Sequence, residues 1–208
     1  MAKKTHPTEL IYGIHPIVEL LKAKKRKLIT LYTTKPTPKG FGQIQELLPK
    51  SVAIQYVDRT ILHKLAQTSD HQGVVAYASP FVFRAKFFDP KKEPFLLMLD
   101  GIQDVRNLGS IMRSAYCIGV DGIIITTKNS APLNATALKA SAGLAEHLQI
   151  YQTPSAAAGA TELKKAGYQL YLAVLNGTNA TQLRYQQPLC LVIGAEGTGI
   201  SSAILNQG

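Results

Sequence analysis

The stretch from Phe95 to Thr126, FLLMLDGIQDVRNLGSIMRSAYCIGVDGIIIT, constrains the fold more than any other part of the chain. Phe95 to Leu99 is a continuous apolar run, as expected of a strand buried on both faces. Asp100-Gly101 ends it, and Asn107 stands where a helix N-cap is expected. Leu108, Ile111, Met112, Ala115 and Ile118 then recur at helical spacing and predict one buried stripe. Gly119 closes that helix, and Ile123 to Ile125 predict a second buried strand. Strand, helix and strand in this order make one unit of a parallel sheet. Arg113 falls nearly opposite the apolar stripe. On its own, an arginine at such a position reads as a solvated side chain.

Charge divides the chain in two. Residues 1–92 hold 16 lysines and arginines against 6 acids, whereas residues 93–208 hold 7 against 7. The front part therefore carries the whole surplus of +10. This is the footprint expected of a module that holds a polyanion for a neutral catalytic module, the alternative being lysines that merely solubilise a small domain. Ile17, Leu20 and Leu21 predict a helix that ends in Lys22, Lys24, Lys25, Arg26 and Lys27, where cations also suit the helix dipole. Lys24, Lys25, Arg26 and Lys27 are the candidate contacts to such a polyanion. Leu28 to Thr33, Val52 to Val57 and Val74 to Ala78 read as strands. Gly42 to Leu48 reads as a helix, and Asp58 as the cap of another over Ile61 to Ala66. Pro80 to Pro94, with three prolines and a basic cluster, reads as a linker whose four phenylalanines pack rather than stack on bases.

Beyond the central unit, Asn134 opens a predicted helix over Ala135 to Ala145, and Gln149 to Tyr151 reads as a short strand. Thr153-Pro154 gives an N-cap and first-position proline for a helix over Ser155 to Ala166, with Gly167 at its far end. Tyr168 to Leu175 and Leu189 to Ile193 read as strands, the second running into Gly194-Ala195-Glu196-Gly197-Thr198-Gly199. No G-x-G-x-x-G follows a first strand, and no Walker A lysine follows these glycines. Nor does any serine sit in a nucleophile elbow. The five histidines lack ligand spacing, so no metal site is expected. Cys117 and Cys190 lie in apolar elements and read as packing residues of a reducing compartment. No apolar run is long enough to span a membrane, and the N-terminus lacks the core of a signal peptide, so a cytoplasmic protein is expected.

Asn107-Leu108-Gly109 followed by Arg113-Ser114-Ala115 resembles the first motif of the SpoU-type RNA ribose 2′-O-methyltransferases, members of the knotted SPOUT class. Leu191 to Ile200 (LVIGAEGTGI) is similar to that family's second signature, and Ser130 to Glu146 to its connecting segment. The front part, with its closing His71-Gln72-Gly73-Val74-Val75-Ala76, resembles the substrate-binding domain found before some SpoU catalytic domains, similar in fold to ribosomal protein L30e. The resemblance implies an α/β protein of three parts. These are an L30e-like domain over 1–79, a linker over 80–94, and a SPOUT-type α/β-knot methyltransferase domain with a parallel sheet over 95–208. The trefoil knot of such relatives is an exception to the rule against threaded chains.

The resemblance further implies S-adenosylmethionine as cofactor, with Leu175, Gly194, Glu196 and Gly197 at its site. It places Arg113 at the target ribose-phosphate, with Asn107 and Glu196 in the catalytic group, and it implies a homodimer. A guanidinium deprotonates with great difficulty, so the role expected of Arg113 is to grip phosphate and stabilise negative charge developing on oxygen. Asn107 is expected to position the ribose or Arg113. Glu196 is expected to accept hydrogen bonds from Asn107 or Arg113. The family's third motif, which completes the knot, has no counterpart before Gly208. A cofactor pocket open on one side and weak cofactor binding are therefore expected. The expected substrate is 23S rRNA, at a guanosine. Transfer RNA as substrate stays open, as does a non-catalytic RNA-binding or ribosome-assembly protein on the same fold.

Overall fold

The computed structural model describes residues 7–205. Its chain forms two packing units. The first comprises residues up to 82 together with 109–113 and 133–147, and the second comprises 83–108, 114–132 and the rest from 148.

The first unit is built on a four-stranded sheet of β1 (Glu9–Tyr12), β2 (Leu28–Thr33), β3 (Ile54–Tyr56) and β4 (Val74–Ala78), in the order β1-β4-β2-β3. β4 runs antiparallel to both β1 and β2, and β2 is parallel to β3. α1 (Ile14–Ala23), α2 (Phe41–Leu47) and α3 (Arg59–Ala66) connect them. Tyr12, Leu62, Ala66 and Val75 form a small buried cluster covered by Tyr32 and Ala135. β1 is absent from the sequence expectation. It is only four residues long, and its polar first residue, Glu9, breaks the apolar run.

Arg26 departs from expectation. It is only 6% exposed. Its guanidinium donates to the Ser79 carbonyl (2.7 Å), to Glu146 (2.8 Å) and to Glu9 (2.9 Å), and it lies against the Phe81 ring. With its donors consumed inside the fold, Arg26 is not available to RNA. Lys25 donates to the carbonyl of His147 at 2.9 Å. Lys24, at the left-handed C-cap of α1, and Lys27 are exposed.

The second unit is a five-stranded, wholly parallel sheet. β5 (Phe95–Asp100), β6 (Gly122–Thr126), β7 (Ile150–Thr153), β8 (Gln169–Leu172) and β9 (Leu189–Gly194) lie in the order β7-β6-β5-β9-β8. On one face Leu96, Met98, Ile124, Cys190 and Val192 pack against Ala156, Ala160 and Leu163 of α6 (Ala156–Ala166) and Ile204 of α7 (Ser202–Leu205). Leu97, Leu99, Ile123 and Ile125, the alternate residues of the same strands, are buried too, as the continuous apolar runs required. Gly159 lets α6 settle on this sheet, since a Cβ there would lie 3.0 Å from the Met98 methyl. Residues 83–94 are packed in place. Phe88 is buried against Gly122, and Arg84 forms a two-point pair with Glu93 while lying over the Phe88 ring.

The remaining α-helices among the described residues are α4 (Val105–Cys117) and α5 (Ala135–Ala140). α5 is capped by Asn134, whose side chain accepts from Thr136 and Ala137. It stops short of the expected Ala145 because Ala142 and Gly143 both adopt positive φ, after which Leu144–His147 form a 3-10 turn. Ser155, not Thr153, caps α6; Thr153 is a buried residue of β7.

Candidate active site

The first signature begins where β5 ends. Asp104 caps α4, its carboxylate accepting from the backbone N–H groups of Arg106 (2.6 Å) and Asn107 (3.0 Å). Those two bonds hold its pKa below the ordinary carboxylate value. Asn107 is therefore not the cap. An ionised carboxylate three residues earlier takes that place, which frees the Asn107 side chain for other work. Its amide Nδ2 donates to Glu196 Oε2 at 3.0 Å. Gly109 follows one turn in. A Cβ there would fall 2.3 Å from the Ala137 carbonyl and 2.6 Å from the Ala140 methyl, so only glycine lets α4 and α5 approach this closely. Leu108, Met112 and Ala115 are buried. Ile118, expected in the same stripe, is 66% exposed, since helical spacing puts it at the stripe's edge, beyond the half-buried Ile111. Arg113 is exposed and takes part in no hydrogen bond or ion pair among the described residues.

The second signature is a tight loop at the end of β9. Ala195 and Gly199 exchange two backbone hydrogen bonds, Ala195 N–H to the Gly199 carbonyl (3.1 Å) and Gly199 N–H to the Ala195 carbonyl (2.8 Å). Gly194 sits inside this closure, where a Cβ would meet the Gly199 backbone at 2.1 Å. The exit of the loop is tied to β5. The Ser201 N–H donates to Asp100 Oδ2 at 2.7 Å, and Asp100 is itself buried. β5 and β9 are neighbours in register, with Asp100 beside Gly194, so the sheet brings the two signatures together. The loop is thus held at its tip by Asn107 and at its exit by Asp100.

A cleft of about 980 Å³ opens at this edge of the sheet, between the glycine loop and the irregular segment that follows β8. Ile193 gives it an apolar wall, Gly194, Glu196 and Gly197 its backbone-rich side, and Leu175 stands at its rim, fully exposed. β8 ends at Leu172 rather than Leu175, so Leu175 stands on the segment and not in a strand. Tyr171 holds that segment by packing its ring against Tyr185 at a tilt (centroids 4.8 Å apart) and accepting from the Gln186 N–H (2.9 Å). Sequence reasoning missed Asp100, Tyr171 and Tyr185. Aspartate at a strand end reads as a turn residue, and two tyrosines fourteen positions apart carry no periodic signal. The residues present fit S-adenosylmethionine. The volume suits a small molecule, the side chain-free glycines admit a ligand close to backbone, and the Glu196 carboxylate suits a cationic sulfonium. Among the described residues no cluster of histidine, cysteine and acid side chains could hold a metal ion. No helix there is long and apolar enough to cross a membrane.

Residues 94–207 match the family described as SpoU rRNA Methylase, and residues 10–83 match the RNA 2′-O ribose methyltransferase substrate-binding family. The chain belongs to the SpoU methylase family. A TrmH-family protein of Bacillus subtilis, YacO, is 35% identical over 94% of this chain and 82% of its own length. The 23S rRNA (guanosine-2′-O-)-methyltransferase RlmB of Haemophilus ducreyi is 32% identical over 93% and 82%. The crystal structure of an AdoMet-bound rRNA methyltransferase from Sinorhizobium meliloti superposes with a TM-score of 0.79. It covers 97% of this chain and 76% of its own at 19% identity, a likeness of fold. This SpoU-family chain is accordingly an S-adenosylmethionine-dependent RNA methyltransferase with a substrate-binding part ahead of its parallel sheet.

Proposed function

We propose that this protein methylates the 2′-hydroxyl of a ribose in 23S rRNA, at a guanosine. The hydrogen bond from Asn107 to Glu196 carries the reading, because it joins the two signatures beside a cleft of cofactor size. The 32% identity to a 23S rRNA guanosine methyltransferase supports the substrate. In this reading residues 1–79 hold RNA and residues 95–208 perform catalysis, joined by 80–94. The protein works in the cytoplasm as a homodimer whose sites draw on both copies.

When bound, S-adenosylmethionine supplies an electrophilic methyl group. Gly194 and Gly197 would hold it close to backbone, Leu175 and Ile193 would line its apolar parts, and Glu196 would offset its positive charge. Asn107, fixed by Glu196, orients the ribose. Arg113, exposed and uncommitted, takes the phosphate beside the target ribose in a forked, two-point grip and stabilises the charge that grows on the 2′-oxygen as the hydroxyl proton leaves to water. No step requires a metal ion.

Arg113 supplies the test. Arg113→Ala is expected to lower methyl transfer to rRNA by at least about a hundredfold while the melting temperature stays near wild type. Arg113→Lys should restore little, because an ammonium cannot reproduce the fork. A fully active Arg113→Ala enzyme would return the residue to the solvated surface. A chain that binds RNA yet takes up no S-adenosylmethionine in calorimetry would instead favour a non-catalytic RNA-binding protein.

A further inference from the structure

With Arg26 buried and Lys25 bonded to a backbone carbonyl, the basic run ahead of β2 keeps only Lys24 and Lys27 as exposed cations outside such bonds. The first unit has a second cationic surface at the other end of the same strand. β2 and β3 run parallel with Thr33 beside Tyr56, so both finish at one end of the sheet. Lys35 follows the first strand and Arg59 the second. Pro38 lies against Gly73 at the start of β4, which brings Lys39 to that end as well. Lys35, Lys39 and Arg59 are all exposed, and none forms an ion pair among the described residues. The six residues of β2 put about 17 Å between this end and the Lys24–Lys27 run.

What distinguishes this end is Tyr56. Among the described residues up to 82, every other Phe or Tyr ring is buried or half-buried, whereas Tyr56, on the edge strand β3, is 44% exposed. The Lys35 ammonium lies 4.3 Å from its ring centroid. An exposed ring with a cation held on it, flanked by unpaired basic side chains, has the chemistry of a single-strand contact. Every base can stack on the ring, and the ammonium meets the phosphate beside it. We propose that Tyr56 and Lys35 form a stacking platform by which the first unit holds an unpaired segment of the RNA substrate. The proposal rests on the reading of this chain as an RNA methyltransferase and adds the element of RNA it grips, an unpaired base.

The test uses the full chain and fluorescence anisotropy with two probes, a single-stranded RNA of about a dozen nucleotides and the duplex of the same sequence. Tyr56→Ala should weaken single-strand binding about ten- to a hundredfold and leave duplex binding within about twofold. Tyr56→Phe, which keeps the ring, should bind like wild type. The salt dependence should be unchanged in Tyr56→Ala, because stacking releases no counterions, and its slope should fall by about one in Lys35→Ala. Should Tyr56→Ala fail to fold, Tyr56→Ile, which keeps strand propensity without the π-face, takes its place. Single-strand binding that survives loss of the ring, or that is lost equally in Tyr56→Phe, would overturn the platform. A wild-type chain that binds neither probe would defeat the RNA reading itself, a different outcome.

Discussion

The His71 ring accepts a hydrogen bond from the Gly73 N–H through Nδ1 (2.9 Å), which leaves its proton on Nε2. The ring is fully buried, its Nε2 finds no partner among the described residues, and it meets His63 edge-to-face at 4.7 Å. Burial, with His63 and Arg59 nearby, pushes its pKa below the ordinary 6.5, against a weaker opposing pull from Asp70. A second proton would have to displace the Gly73 bond and place a charge in a buried site beside Arg59. Below pH 6.5 the unfolded chain therefore takes up a proton that the folded chain resists, so stability is full above that value and falls as pH drops through it. Thermal melts between about pH 7.5 and about pH 5.5 should show this fall, and His71→Asn, which can still accept from Gly73, should flatten it. An equally steep fall in the variant would assign the loss to other groups. His71 thus shapes the turn that leads into β4, through a backbone contact.

At the scale of elements, the parts legible in sequence are those written in local pattern. Leu28 to Thr33 and Val74 to Ala78 are strands with the expected bounds, and Gly167 ends α6 in the left-handed conformation as expected. The parts that were not legible depend on partners distant in the chain. Asp104, not Asn107, caps α4, and the work of the Asn107 side chain is set by Glu196, 89 positions away. Gly143 breaks the helix after Asn134 where its backbone meets Pro16, at 2.7 Å from where a Cβ would stand. The glycine loop shows the same dependence, since the aspartate that ends β5 is what holds its exit. Asp100→Ala should remove that tie, weakening S-adenosylmethionine binding about tenfold in calorimetry and speeding amide exchange over residues 195–201 of the cofactor-free protein. Asp100→Asn keeps an acceptor oxygen and should preserve both. If the two variants lost binding equally, the carboxylate charge and not the hydrogen bond would be what matters.

At the scale of the whole molecule, family boundaries and packing boundaries differ. The methylase match covers residues 94–207, yet residues 133–147 pack in the first unit. Beside the apolar contact of Ala135, the ties are polar. Arg26 and Glu146, with side chains 1% exposed each, are paired at 2.8 Å. His147 meets Glu19, and the Tyr12 hydroxyl bonds to Thr136. Burial pushes the Glu146 pKa up while Arg26 pulls it down, the signature of an ion that needs its partner to stay charged. Such a pair adds little net stability over an apolar one, but breaking it leaves a buried charge uncompensated. Glu146→Ala should therefore cost about 3 kcal/mol, toward the lower end of the range because Glu9 still holds Arg26. That corresponds to a melting temperature about 6–12 °C lower. The double change Arg26→Met with Glu146→Leu removes both charges at similar volume and should recover most of the loss. The same logic governs a fragment ending near residue 82. It would keep Arg26 without Glu146, so RNA binding by the front part is expected only when residues 133–147 are present. A double variant no more stable than Glu146→Ala would show that packing around residue 146, not the stranded charge of Arg26, carries the energy.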